Sequence, residues 1–290
     1  MHQYLTTKEL AELLRIKERK VYDLAASGEV PCSRAMGKLL FPRQEIDAWL
    51  SANSSGPSTA TAQERPAVFL GSHDPLLEWA LRQSHCDVAT FFDSSMDGLK
   101  RFSDAQGIAA GLHVLDPETE DWNVPVVRQH VSGQDAVLIE WAERRRGLIV
   151  RADEAPAVSS IEDVRGRAFV PRQADAGSQH LFEHLSGKAG ITASDLQMRP
   201  PALTEGDAAV AVLEGEADIA FGLEALAHQY RLGFVPLVAE RFDLLINRRA
   251  WFEPPLQTFL AFCRTRAFLD KAASLPGYDV SGFGRIHFNA

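Results

Sequence analysis

The sequence predicts an α/β protein in two parts, a small N-terminal unit of three short helices and a larger domain of alternating strands and helices. Within residues 1–50, apolar residues recur at helical spacing behind clear capping signals. From Ala67 onward, short apolar runs that suit strands alternate with helical segments. Residues 51–66, between the two parts, are rich in Ser, Thr, Ala and Pro, which predicts a flexible linker.

The composition is that of a globular protein with an acidic bias. The 290 residues are 46% hydrophobic and 24% charged, and the formal net charge is −9. Residues 1–50 carry eight Lys and Arg against seven Asp and Glu, so the acidic excess lies in the rest of the chain. The three cysteines lack metal-ligand spacing and suit a reducing compartment. The sequence contains neither an apolar signal segment nor a membrane span, so we expect a cytoplasmic protein.

The N-terminal unit begins with two predicted helices. Thr6 and Glu9 form a capping box for the first helix, which should stop near Arg15. The second helix should run from about Lys17 to Ser27, with Gly28 as its C-terminal cap. A basic outer face on the second helix of such a pair suits the major groove of DNA. The outward positions of this helix are Lys17, Arg19, Lys20 and Tyr22.

A wing and a third helix complete the unit. Two short extended runs within residues 30–43 meet at Gly37, which predicts a β-wing whose cations face DNA phosphates. These cations are Arg34, Lys38 and Arg43. Residues 45–50 should form the third helix. The alternative is a small helical bundle with solvated basic residues, since acidic side chains temper the positive field at Glu18, Asp23 and Glu29.

The N-terminal segment resembles an excisionase-type winged helix-turn-helix of the MerR-like superfamily. The matching residues are LTTKELA at 5–11, VY at 21–22, GEVP at 28–31, Gly37, FPR at 41–43 and IDAWL at 46–50. The resemblance covers almost the whole segment and implies double-stranded DNA as a partner.

The larger domain is predicted from its strand–turn–helix units in series. We expect strands at residues 68–70, 88–92, 107–115, 136–139, 147–151, 168–170, 218–221, 234–237 and 242–246. Helices should follow Pro75 and residues 93–97, begin at Ile161, and cover residues 181–185, 208–213 and 257–268. Such alternation is typical of mostly parallel sheets, and the two groups of units predict two lobes that divide near Val150.

From about Ala67 to Ile286 the chain resembles the type-2 periplasmic-binding-protein fold, in the cytoplasmic version attached to regulators and to molybdopterin-biosynthesis proteins. The matching residues are GSHDPLL at 71–77, His113, GLIVR at 147–151, RQ at 172–173, GS at 177–178, AD at 217–218, ERFDL at 240–244, GYDVS at 277–281 and Gly284. The resemblance implies a bilobal domain that binds a small ligand between its lobes.

Four turns at strand ends would line that cleft, because ligands of such sheets bind at the carboxyl ends of the strands. Three of the turns open a helix, whose free N–H groups favour an anion. The candidate ligand-binding residues are Ser72, His73, Asp74, Ser94, Ser95, His113, Arg172, Gln173, Gly177, Ser178 and Glu224. Asp74 and the two serines could instead be simple helix caps, and His113 could be structural.

The turn at residues 172–180 resembles that of periplasmic tungstate-binding proteins, although Asp-Ala-Gly-Ser-Gln-His stands where those have Asp-Ser-Gly-Thr-His. The resemblance allows molybdate or tungstate as the ligand, and equally a pterin-like or other small acidic metabolite. Arg172 could hold two oxygens of such an anion at once.

These features favour a ligand-responsive transcriptional regulator that works as a homodimer on DNA, without a cofactor, a metal or a membrane. One alternative is an excisionase-like architectural protein whose second domain binds a partner. An enzyme is a third possibility, but Ser72, His73 and Asp74 are consecutive and cannot form a catalytic triad. The sequence also lacks a nucleophile elbow, a P-loop, a dinucleotide fingerprint and a zinc-protease motif.

Overall fold

The structure is a computed structural model that describes residues 4–35, 37–52, 65–131 and 133–290. Its backbone contacts divide the chain into two compact units, with the boundary between Glu64 and Arg65. The predicted linker falls largely on residues outside the described ones, but Ala52 belongs to a helix and Arg65 belongs to the second unit. Among the described helices, none has the length and apolar character needed to cross a membrane.

The N-terminal unit contains three helices and a three-stranded antiparallel sheet. Its elements are β1 (Tyr4–Thr6), α1 (Thr7–Leu14), α2 (Glu18–Ser27), β2 (Ser33–Ala35), β3 (Lys38–Pro42) and α3 (Arg43–Ala52). The capping box is confirmed, because the Glu9 N–H donates to Thr6 Oγ1 and the Thr6 N–H donates to the Glu9 carboxylate. Strands β2 and β3 confirm the predicted wing.

Two features of this unit differ from the prediction. Strand β1 pairs with β3 and was not predicted, because three residues are too few to show a period. Helix α3 begins two residues earlier than expected, at Arg43. The core is apolar and draws on every helix, with Leu10, Val21 and Ile46 fully buried beside Phe41 of the sheet.

The C-terminal unit carries ten strands and nine helices among the residues described. The strands are β4 (Val68–Ser72), β5 (Ala89–Asp93), β6 (Ala109–Leu112), β7 (Ala136–Val150), β8 (Ala168–Val170), β9 (Gln197–Met198), β10 (Ile219–Leu223), β11 (Gly233–Asn247), β12 (Tyr278–Asp279) and β13 (Ile286–Asn289). The helices are α4 (Pro75–Ser84), α5 (Ser95–Ser103), α6 (Val124–His130), α7 (Gly177–Lys188), α8 (Glu205–Leu213), α9 (Glu224–Gln229), α10 (Arg248–Trp251), α11 (Pro254–Phe262) and α12 (Arg266–Ala273).

Two long strands, β7 and β11, form the centre of this unit and correct the sequence prediction. The sequence predicted two short strands in place of each, separated by the polar runs that include residues 143–146 and 238–241. The structure has two continuous strands of 15 residues each, paired antiparallel along most of their length. The prediction was wrong because it treated charged residues as loop residues, whereas Arg144, Arg146 and Glu240 are buried within these strands.

The sheet order is β5-β4-β6-β11-β7-β10-β8-β9, and it defines two lobes. The first lobe contains β4, β5 and β6, which pair in parallel and join residues 243–246 of β11. The second lobe contains β8, β9 and β10, which pair in parallel and join residues 146–150 of β7. The sheet is therefore mixed rather than mostly parallel, because the two long strands that link the lobes are antiparallel.

Each lobe has its own apolar core, and the chain ends on the first lobe. Trp141 and Phe259 stack within the first core, and Phe169 stacks on Phe182 in the second.

The segment predicted as one helix at 257–268 forms two helices, because the Thr265 side-chain oxygen accepts from the Phe268 N–H and caps a new helix. Residues 161–164 form a 3₁₀ turn rather than an α-helix. After α12, strands β12 and β13 pair with β7.

Candidate functional site

A cavity of about 490 Å³ lies between the two lobes of the C-terminal unit. Turns after strands of the first lobe form one wall, and the first residues of α7 and α8 with part of α9 form the other. Eight of the predicted ligand-binding residues line this cavity: Ser72, His73, Ser94, His113, Arg172, Gln173, Gly177 and Ser178. The structure does not bring Asp74, Ser95 and Glu224 to the cavity wall.

Asp74 acts as a helix cap and as the centre of a buried hydrogen-bond set. One carboxylate oxygen accepts from the Leu77 N–H at 2.7 Å and from the Trp141 indole at 3.0 Å. The other accepts from Arg144 at 2.8 Å and from the Tyr278 hydroxyl at 2.6 Å. Burial and the neighbouring carboxylate hold the pKa of Tyr278 well above its usual value, so the phenol remains a donor.

Ser95 and Glu224 have other partners. The Ser95 hydroxyl is buried, lies 2.8 Å from Ser72 Oγ and accepts from the His113 N–H at 3.1 Å. It therefore orients two residues of the cavity wall. The Glu224 carboxylate pairs with Arg145 at 2.7 Å, away from the cavity. Strand-end position alone was therefore insufficient to predict which side chains face the cleft.

Next to the cavity lies a group of five charged residues, here called the buried ion cluster, of which the sequence prediction had named only Asp74 as a candidate site residue. Its members are Asp74, Arg144, Arg146, Glu205 and Glu240. Glu240, fully buried on β11, accepts hydrogen bonds from Arg144 and from Arg146 Nε, the second at 2.6 Å. Arg146 Nη1 lies 2.8 Å from Glu205 Oε1 on α8 of the second lobe. The alternating Arg144 and Arg146, which point to one face of β7, were the available signal.

His113 joins this cluster from the first lobe. Its Nδ1 lies 2.9 Å from Glu240 Oε2, and its ring stacks on Phe242. Burial lowers the pKa of His113, although Glu240 opposes that shift, so the ring is neutral near neutral pH. Burial alone would raise the pKa values of Glu240 and Glu205, but Arg144 and Arg146 lower both, so both carboxylates are ionised. A buried charge is tolerated only when paired in this way.

Helix α7 begins against His113 and presents an uncapped N-terminus to the cavity. Ala176 occupies the N-cap position and has no side-chain acceptor, unlike Ser94 at the start of α5 and Thr204 at the start of α8. A Cβ atom at Gly177 would lie 2.9 Å from His113 Cε1, so glycine permits this close approach of the lobes. The first N–H groups of α7 can therefore bind an anion.

Arg172 lies near the start of α7 and is only partly engaged by the protein. Its Nη1 donates to the Ala202 carbonyl at 2.8 Å, while its Nε has no hydrogen-bond partner among the residues described. Burial lowers the pKa of Arg172, and Glu205 opposes that effect. A guanidinium remains charged at any physiological pH. Arg172 can thus present positive charge to a ligand in the cavity.

The predicted DNA-binding residues of the N-terminal unit are mostly exposed. Lys17, Arg19, Lys20 and Tyr22 are exposed on and beside α2, and Arg34 and Lys38 are exposed on the wing. Arg43 is half-buried as the first residue of α3. The basic face of α2 predicted from the sequence is thus accessible to a partner.

Comparison with known families places both units. A helix-turn-helix domain family matches residues 4–54, and a family described as the PBP superfamily domain matches residues 78–264. The chain belongs to the PBP superfamily. The PBP domain accounts for the two lobes and their cleft, and the helix-turn-helix match coincides with the N-terminal unit. Both domains are of binding types rather than enzymatic ones.

Individual relatives of this PBP superfamily member are distant. The uncharacterized protein YvgK of Bacillus subtilis is 22% identical over 97% of this chain and 96% of its own length. The C-terminal unit is similar in fold to PhnD1 of Prochlorococcus marinus in complex with methylphosphonate (TM-score 0.50, 9% identity, 74% of this chain and 92% of that one). It is also similar to the regulatory domain of MetR, a LysR family regulator of N. meningitidis (TM-score 0.50, 15% identity, 74% and 99%). These two likenesses concern the fold alone.

Proposed function

We propose that this chain is a ligand-responsive transcriptional regulator that binds double-stranded DNA through its N-terminal unit. The observation that carries the proposal is the presence, in one polypeptide, of a helix-turn-helix domain and a binding-protein domain with a cleft of about 490 Å³. Action on DNA would place the protein in the cytoplasm. A homodimer would let two small N-terminal units read two half-sites, since one such unit makes few base contacts.

The ligand in this proposal is small and carries at least one anionic group. Arg172 and the uncapped N-terminus of α7 support an anion at that end of the cavity. One candidate is an oxyanion such as molybdate or tungstate. The other is an acidic organic metabolite, for example one of pterin-like structure. The ligand would change DNA binding only through its different affinities for two arrangements of the lobes.

DNA binding is tested on the exposed face of α2. Arg19→Ala and Lys20→Ala should each weaken the binding of DNA fragments that wild-type protein selects from a random library. Loss of a phosphate contact should also reduce the dependence of log K on log salt by about 1. The matched control is Lys8→Ala, which removes an exposed lysine from α1 of the same unit. Unchanged binding in both α2 variants would contradict the assignment of α2 as the recognition helix.

Responsiveness to a ligand is tested with the same fragments. A compound that stabilises the protein against heat should also change its affinity for the selected DNA. If stabilising compounds leave DNA affinity unchanged, the chain is better described as an excisionase-like architectural protein with an independent binding domain. If wild-type protein selects no DNA at all, both the regulator and the architectural protein are excluded.

A further inference from the structure

A carboxylate stands in the ligand cavity where a receptor for simple anions would not need one. Glu205 is the first residue of α8, lines the cavity and keeps 20% of its side chain exposed. Its Oε1 lies beside Arg146, and its Oε2 is a buried atom that has no hydrogen-bond partner among the described residues. Two nitrogens of Arg146 (Nη1 and Nη2) likewise lack a hydrogen bond of good geometry in the described part of the chain. Although Arg146 Nη1 lies 2.8 Å from Glu205 Oε1, the contacts among the described residues leave Arg146 Nη2 and Glu205 Oε2 without a partner.

The charges below the cavity do not favour a bare dianion. Within the buried ion cluster, the two guanidinium groups of Arg144 and Arg146 face the three carboxylates of Asp74, Glu205 and Glu240. The adjoining His113 is neutral. The cluster thus carries a net negative charge, and Arg172 approximately balances it. A tetrahedral dianion would add negative charge beside the ionised Glu205, at a cost that grows in a poorly solvated cleft.

The cavity also has the wrong size and lining for a bare oxyanion. Cavities of roughly 300–1,000 Å³ are typical sites for organic ligands, and this one measures about 490 Å³. Its second wall includes the apolar side chains of Leu203, Leu223 and Leu226 and the ring of Tyr230, and Phe92 lies on the opposite side. An ion of five heavy atoms would leave most of this apolar surface without contacts. A ligand with a carbon skeleton would cover it.

We propose that the cleft binds an organic zwitterion, with its anionic group held by Arg172 and the start of α7 and its ammonium group held by the Glu205 carboxylate. The inference rests on the proposed ligand-binding role of the cleft and narrows its ligand class. Glu205 and Arg172 line the same cavity, so the two charged groups of one small molecule can reach both. Glu205 then acts as the residue that selects against bare oxyanions and against acids without a cationic group.

The test compares paired ligands on the full-length protein. Each pair differs only in an ammonium group: glutamate against glutarate, and phenylalanine against 3-phenylpropionate. Tungstate, molybdate, sulfate and phosphate form the oxyanion set. At equal concentration we expect at least one ammonium-bearing compound to raise the Tm clearly more than its partner, with an affinity at least tenfold higher by calorimetry. We expect the oxyanions to give no comparable rise.

Glu205→Gln should remove the advantage of the ammonium-bearing ligand while the protein still folds. Glu214→Gln, at the exposed far end of the same helix, is the matched control and should retain it. If Glu205→Gln does not fold, the paired ligands on wild-type protein decide the question. Equal shifts within every pair, the absence of any shift with the ammonium-bearing compounds, or an equal or larger shift with a bare oxyanion would overturn the proposal.

Measurement of DNA affinity in the same samples separates this inference from the regulatory role. An oxyanion that stabilises the protein and changes its DNA affinity overturns the zwitterion proposal and leaves the regulator standing. A zwitterion that stabilises the protein without any change in DNA affinity supports the ligand class and argues against regulation.

Discussion

Replacement of Glu240 by glutamine is the strongest test of the buried ion cluster. Glu240 is fully buried on β11 and accepts hydrogen bonds from Arg144 and, at 2.6 Å, from Arg146. It also accepts at 2.9 Å from His113 when the ring carries its proton on Nδ1. Glutamine keeps the shape of the side chain but removes its charge. Its amide has only one acceptor oxygen, so its NH₂ group would face guanidinium donors. Two buried guanidinium groups would then lose their shared counterion.

The expected cost follows from the burial of all the partners. Removal of one member of a buried ion pair costs about 3–5 kcal/mol. Because Arg144 keeps Asp74 and Arg146 keeps Glu205 as counterions, we expect a cost near the lower end of that range. Typical domains are stable by about 5–15 kcal/mol, so Glu240→Gln should remove a large share of that stability. Urea unfolding followed by circular dichroism at pH 7 would measure the change. Glu216→Gln, an exposed position in the same unit, is the control and should stay within about 0.5 kcal/mol of wild type.

The dependence on pH adds a second check on the same variant. Because the two arginines hold the folded-state pKa of Glu240 well below its usual value of 4.5, its stabilising contribution is complete above that pH and is lost only as the pH falls towards the folded-state pKa. The difference in unfolding free energy between wild type and Glu240→Gln should therefore be constant from pH 7 to 5. A difference below about 1 kcal/mol at pH 7 would refute the reasoning, given the cost expected for a buried pair. A decrease in this difference between pH 7 and pH 5 would refute the conclusion that Glu240 is ionised in the folded protein.

Two further predictions concern the long strands. Burial raises the pKa of Asp243 from 3.8 to about 6, so the stability that this group contributes is lost as the pH rises from 3.8 through 6. Relative to Asp243→Asn, wild type should lose up to about 3 kcal/mol of unfolding free energy between pH 4 and 7. A constant difference between the two proteins would contradict this prediction. A Cβ atom at Gly147 would lie 1.9 Å from the Val235 carbonyl oxygen, so Gly147→Ala should cost at least about 1–3 kcal/mol in thermal unfolding, whereas Gly187→Ala, with open space in α7, should be neutral or slightly stabilising.

The N-terminal unit was largely predictable because its signals are local. The Thr6–Glu9 capping box, Gly28 in the left-handed conformation and the turn around Gly37 each depend on a few consecutive residues. The helices predicted from hydrophobic periodicity carry Leu10, Val21 and Ile46, which the structure buries completely. Strand β1 escaped prediction because its pairing with β3 depends on residues more than thirty positions away.

The C-terminal unit shows where local signals fail. Short strands that are followed by a turn and a helix were predicted from their turn residues. Eight of the candidate ligand-binding residues line one cavity. The continuity of β7 and β11 was missed because charged residues normally leave a sheet interior. Arg144 and Glu240 remain inside because each is a counterion of the other, although they lie 96 positions apart in the sequence. Asp74 likewise has partners at Trp141, Arg144 and Tyr278 that no turn motif reveals.

The position of the buried ion cluster has a consequence for how the cleft could transmit a signal. Arg144 and Glu240 lie where the two long strands pass from one lobe to the other, His113 reaches them from the first lobe, and Glu205 reaches Arg146 from the second. Any motion of the lobes must keep these charges paired, because an unpaired buried charge costs several kcal/mol. A ligand ammonium group that binds Glu205 would compete with Arg146 for that carboxylate and leave Glu240 as the main counterion of Arg146. We therefore expect binding and lobe position to be coupled through the same carboxylate, so that Glu205→Gln should alter both ligand preference and the response of DNA affinity to the ligand.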